Sequence, residues 1–178
     1  MKENKISPPP ETTLVELIRY NNWANAQVLL ACLQLTPHQL TATAPGTYGT
    51  IHATLRHILR AEADYIGRLI GVSPQPSFKW EDQPTLADIS IFAGKVADAL
   101  LDAVQRIPPT HLVHEEEDGK FIDYIARHLF IQVIDHGIEH RTNITTILSS
   151  LDHPALEVDG WSYLFSHPER FELQEGTL

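Results

Sequence analysis

A single cysteine, Cys32, leaves no partner for an intramolecular disulfide, so this chain must fold without a covalent staple. Cationic residues are scarce too. Lysine and arginine total 13 against 23 acids, a formal net charge of −10, and they form no run. Such a balance repels phosphate backbones and anionic lipid, which argues against a nucleic-acid or membrane partner. No apolar stretch reaches the roughly 20 residues of a spanning helix, and the N-terminus lacks the apolar core of a signal peptide. Together with the lone thiol, these absences point to the cytoplasm. A Gly-rich phosphate loop, a Gly-x-Ser-x-Gly elbow, a Cys-x-x-Cys pair and the paired Glu-x-x-His motifs of di-iron bundles are all missing.

The 178 residues are 43% hydrophobic and 20% charged, with no internal repeat, which fits one globular domain with a self-sufficient core. Ten histidines are many for this length and raise the prospect of metal chemistry. Residues 1–11, ending beyond Pro8, Pro9 and Pro10, read as a flexible tail, and 12–178 as a single domain. Thr13 with Glu16 has the pattern of a capping box. Leu14, Leu17, Ile18, Val28, Cys32 and Leu35 then follow one helical stripe, which makes Cys32 a packing residue rather than a nucleophile. Asn21 and Asn25 interrupt that stripe near its centre, so polar partners should face them.

A second helix is expected from about Thr50 to Ile70, stopped by Gly71, with an apolar arc of Ile51, Leu55, Ile58, Leu59, Ile66 and Leu69. A third opens at Thr85 with Asp88 three residues on and ends before Pro108 and Pro109. The acids from Glu115 to Asp118 read as a solvated loop, with a weak hairpin signal at Asp118-Gly119. A fourth helix is expected from Lys120 or Asp123 to about Ser150. Four long helices and no convincing sheet predict an all-α bundle with long connections, not a simple up-down hairpin series.

The segment "DHGIEHRTNI" at 135–144 carries the chemistry. At 100° per residue, Ile125, Leu129, Gln132, His136, His140, Asn143 and Ile147 share one seam, apolar at its ends and polar at its middle. That pattern fits a polar site sunk into a bundle. Two imidazoles four residues apart can reach one cation, and a cation of the zinc type asks for a third protein ligand. The second helix offers His52, at the edge of the apolar arc, and His57, on a flank with Thr50, Ala53, Thr54, Ala61 and Asp64; periodicity leaves both open. "HGIEH" also matches an inverted zinc-peptidase motif, but only 38 residues follow His140, too few for that enzyme body. Glu139 then reads as a flank residue answering Arg141. Glu62 and Asp64 stand as imidazole orienters or as ordinary polar residues. The remaining histidines (38, 111, 114, 128, 153 and 167) have no usable spacing and read as surface or loop residues.

"LIRYNNWANAQVLLACL", "TIHATLRHILRAEADYIGRL", "QVIDHGIEHRTNI" and "DGWSYL" resemble, in order and spacing, the DinB/YfiT-like family of bacterial proteins, over about residues 12–165. The resemblance implies a four-helix bundle with long connections. It also implies one divalent metal ion held by three histidines: His57 from "LRHIL" and the pair His136 and His140. Nickel, iron and zinc all suit imidazole, and zinc is the default. Characterised members include metal-dependent transferases and isomerases that use small thiols such as bacillithiol and mycothiol. The expected activity is therefore metal-dependent transfer of a small thiol to a small electrophile. A metallohydrolase and a non-catalytic metal-binding stress protein are the alternatives. Asn21, Asn25, Gln132 and Asn143 are candidates for binding substrate or orienting the ligands. The resemblance also implies a homodimer, to which the aromatics Trp80 and Trp161 could contribute.

Overall fold

A computed structural model describes residues 12–117 and 119–170. The tail expected over residues 1–11, and Asp118 of the expected turn, lie outside them. Four long helices dominate: α1 (Thr13–Cys32), α2 (Ile51–Ile70), α3 (Leu86–Arg106) and α4 (Arg127–Ser150). Between α3 and α4 stands a hairpin of β1 (Leu112–Glu117) and β2 (Lys120–Ile125), and a short α5 (Gly160–Ser166) follows α4. The all-α reading holds.

Local chemistry explains where the helices begin and stop. The Thr50 hydroxyl accepts from the Ala53 amide at 3.1 Å to open α2, and Gly71, at φ +80°, ends it in the left-handed region that suits glycine. Thr85 and Asp88 form the expected reciprocal capping box on α3. On α1 the cap lies one residue earlier than expected. Thr12, not Thr13, accepts from Val15 N, and the Glu16 carboxylate instead receives Tyr163 Oη at 2.6 Å and Arg170 Nη2 at 2.8 Å.

The start of the fourth helix is a larger correction. Lys120–Ile125 pair antiparallel with Leu112–Glu117, Val113 opposite Tyr124, so α4 begins only at Arg127. Aromatic and branched residues (Phe121, Ile122, Tyr124, Ile125) favour the extended chain, and Gly119 supplies φ +73° at the turn. Glu115–Glu117 of the acidic run are accordingly strand rather than loop. Glu115 pairs with Arg68 at 2.9 Å and accepts the Tyr124 hydroxyl. Ile125 leaves the fourth-helix seam and ends β2.

Helices α1 and α2 each pack on both α3 and α4, so the order around the bundle is α1, α3, α2, α4. The core draws Ile18, Val28 and Cys32 from α1, the whole expected arc from α2, Phe92 and Leu100 from α3, and Phe130, Ile144 and Ile147 from α4. Leu17, expected inside, is 41% exposed, and Leu35 lies beyond the end of α1. The buried face of α1 passes instead through Val15, Asn21 and Ala24. Burial pushes the Cys32 thiol up to about 12, which fits packing and not nucleophilic chemistry. Trp80 is half-buried against Phe78 and Phe92, with the Arg60 guanidinium over its ring, and so covers the core; Trp161 is 69% exposed and stacks on Phe165. Among the described residues, no helix is long and apolar enough to cross a membrane.

Candidate metal centre

The α2–α4 contact brings together three imidazoles from two helices. His136 and His140, one turn apart on α4, are buried, and their ring centroids lie 4.3 Å apart. His57, half-buried on α2, places its Nε2 3.0 Å from His136 Nε2 and its ring centroid 4.5 Å from that of His140. One nitrogen from each of the three falls within 4.8 Å of the others. His52, the other second-helix candidate, is elsewhere: its Nε2 meets Pro84 O at 2.9 Å and ties α2 to the segment before α3.

Burial pushes all three imidazoles below the ordinary histidine range. His136 goes furthest, down to about 4, through desolvation first and then the neighbouring His140, His57 and Arg141. All three are therefore neutral near pH 7, the state in which imidazole offers a lone pair to a metal. The His57–His136 spacing fits as well. Nitrogens bound tetrahedrally at about 2.0–2.1 Å from one zinc ion lie about 3.3 Å from each other, close to the observed His57–His136 contact.

Of the four amides expected near this site, Asn143 is linked to it through Tyr48. Its Oδ1 accepts the Tyr48 backbone N–H at 2.6 Å, and its Nδ2 donates to Glu139 O at 2.7 Å. The Tyr48 ring in turn stacks on His57, with centroids 4.2 Å apart. No pattern pointed to Tyr48, which sits in the turn-rich "TAPGTYGT" between helices. Gln132 is exposed and approaches Tyr65 Oη at 3.4 Å, so it does not reach the imidazoles.

Asn21 and Asn25 belong to a different structure, a polar layer through the middle of the bundle. Both amide oxygens accept from Arg141 Nη1 at 2.8 Å. Both amide nitrogens donate to Glu62 Oε1, at 2.7 and 2.9 Å. Burial raises the Glu62 carboxyl, against the amides of Asn21 and Asn25 and the charge of Arg141, and lowers Arg141, against Glu62 and Tyr20. This arrangement excludes two expectations. Glu62 faces the amides and not an imidazole, and Asp64 is exposed in an i,i+4 pair with Arg68 at 2.9 Å. Arg141 turns inward, so Glu139, exposed on α4, is not its counter-charge. Gly137 makes room for the layer, since a Cβ there would lie 2.5 Å from Asn21 Oδ1. Of the remaining histidines, His38, His111, His114 and His128 are exposed and His153 and His167 half-buried, away from this centre.

The sequence profile of the DinB family matches residues 4–175. A DinB-like protein from Bacillus subtilis superposes with a TM-score of 0.59 at 13% identity, over 80% of this chain and 96% of that one. A DinB family member from Shewanella denitrificans does so with a TM-score of 0.53 at 15% identity, over 85% of this chain and 86% of that one. At such identities the likeness is one of fold. No curated protein matches the chain.

Proposed function

The chain belongs to the DinB family, and from that premise we propose that His57, His136 and His140 hold one divalent metal ion, zinc by default, in a transferase that carries a small thiol to a small electrophile. One observation carries the reading: three neutral imidazoles from two helices converge within 4.8 Å. A divalent cation with only neutral ligands keeps its full charge and, when bound, supplies the Lewis acidity that favours thiolate over thiol near neutral pH. The chain's own part is to hold the donors neutral, to orient them and to limit water. Burial of His136 and His140 and the Tyr48 ring, stacked on His57 and edge-on to His140, do this. Cys32 is buried and its thiol stays protonated, so the attacking thiol comes from outside the protein.

The test has two stages. Elemental analysis of purified protein should find about one divalent ion per chain, lost in His57→Ala, His136→Ala or His140→Ala and retained in His52→Ala. Loaded protein is then given bacillithiol or a simpler thiol with haloalkane and epoxide electrophiles. Conjugation should require the metal, vanish in His140→Ala and survive in Cys32→Ala. Metal-dependent ester or amide hydrolysis with no conjugate would move the protein to the hydrolases, with Glu139 the first base to examine. Metal uptake with neither activity would mark a binding protein. We also propose a homodimer, supported by exposed Ile131 and Ile138 on α4 and by Trp161 and Phe165 on α5; a monomer by light scattering at all concentrations would exclude it.

A further inference from the structure

His136 and His140 are fixed relative to each other by the helix they share. His57 comes from another helix and is the least buried of the three, so the backbone alone does not set its ring angle. The outer ring nitrogens differ as well. His136 Nδ1 and His140 Nδ1 are buried with no hydrogen-bond partner among the described residues, whereas His57 Nδ1 lies 3.2 Å from Tyr48 Oη. The Tyr48 ring lies nearly parallel to His57, 20° between planes, and meets His140 edge-on with centroids 4.9 Å apart.

Tyr48 is itself tightly placed. Asn143, one turn beyond His140, holds its backbone N–H. Gly46 turns the loop at φ +81°, and the Thr47 hydroxyl bridges Ala44 N and O at 3.2 and 2.8 Å. Yet the side chain is 55% exposed, so core packing does not explain this tethering. We propose that Tyr48 is a positioning residue. Its hydroxyl sets the tautomer and ring plane of His57, and so controls how tightly and for how long the three-histidine centre keeps a divalent ion. The proposal rests on the metal-centre reading above.

Proton placement favours a hydroxyl at this spot. An imidazole that binds through Nε2 carries its proton on Nδ1, which then donates to Tyr48 Oη. Without an ion, the 3.0 Å contact between His57 Nε2 and His136 Nε2 needs one proton between them. When His57 provides it, Nδ1 is bare and the Tyr48 O–H donates to it. A phenol can donate or accept, so His57 changes tautomer without losing a partner. A carbonyl or carboxylate would serve only the first state. Because the loop is pinned from α4, the same helix that carries two of the donors also orients the third.

Cobalt(II) is the probe, followed by its ligand-field absorption and by its rate of release to excess EDTA. Tyr48→Phe keeps the stacked ring and removes the hydroxyl; Tyr48→Ala removes both. We expect Tyr48→Phe to weaken cobalt binding about 10- to 100-fold, the usual effect of losing an outer-shell partner, and to speed release, while the metal-free melting temperature stays at the wild-type value. Tyr48→Ala should weaken binding at least as far. Long-range proton–nitrogen spectra of the zinc-loaded wild type should place the His57 proton on Nδ1. Cobalt held as tightly and released as slowly by Tyr48→Phe as by wild type would overturn the role of the Tyr48 hydroxyl, whatever Tyr48→Ala does, and leave the metal centre standing. A wild type that takes up no cobalt would overturn the metal centre, and this inference with it.

Discussion

Arg141 and Glu62 are joined without touching: the amides of Asn21 and Asn25 stand between them, accepting from the guanidinium and donating to the carboxylate. Each amide is oriented oxygen toward the cation and nitrogen toward the anion, so its dipole supports both charges. The layer cross-links α4, α1 and α2 where hydrophobic packing alone would leave their register free.

Removing one end of this layer strands the other. Arg141→Met should cost about 3–5 kcal/mol, because Glu62 is left buried without a cation. Urea denaturation measures this loss. The double variant Arg141→Met, Glu62→Met should recover much of it, since two apolar side chains replace two desolvated charges.

Gly137→Ala would ordinarily favour a helix by about 1 kcal/mol. Here the added Cβ lies 2.5 Å from Asn21 Oδ1 and 2.6 Å from Arg141 Nη1. The variant should therefore be less stable by about 1–3 kcal/mol, a sign that thermal or urea unfolding reads directly.

Chelator-treated protein should lose stability as pH falls through the window from about 6.5 to about 4. His136 has its folded value lowered to about 4 by burial and neighbouring positive charge, so the unfolded chain binds more protons across that range. Stability is complete above the unfolded value and declines below it. Melting curves at several pH values should show this fall, and His136→Asn should flatten it.

Cys32 should resist a disulfide-exchange reagent such as DTNB while the protein is folded. Its thiol is buried and its pKa raised by desolvation to about 12. Labelling should proceed at the rate of unfolding and become rapid in denaturant. Fast labelling of native protein would show that α1 opens locally.

Much of the scaffold was legible because its signals are local. Thr50, Gly71, Thr85 and Asp88 mark helix ends through their own side chains or backbone freedom, and the α2 arc repeats at helical spacing. The His136–His140 pair was legible for the same reason. The third imidazole was not legible from spacing, since His52 and His57 are both plausible on one helix; the family resemblance favoured His57, and the docking of α4 places it beside the pair. Asn21 and Asn25 announced a polar layer, but its other members, Glu62 and Arg141, become partners only across the bundle. Tyr48 gave no periodic signal because it acts from a loop. The late start of α4 was obscured because strand and helix compete for the same short apolar run, and pairing with β1 decides between them.

The place of His57 in the chain has a consequence for the order of events during synthesis. It precedes His136 by 79 positions, with all of α3 and the hairpin between them. While the chain emerges from a ribosome, α2 is exposed long before the residues that complete its donor set exist. An ion arriving then meets one imidazole of the trio and has little to hold it. The three-histidine cluster is complete only once α4, the last of the four long helices described, has been made, so any ion it takes up is drawn from those around a chain already synthesised that far.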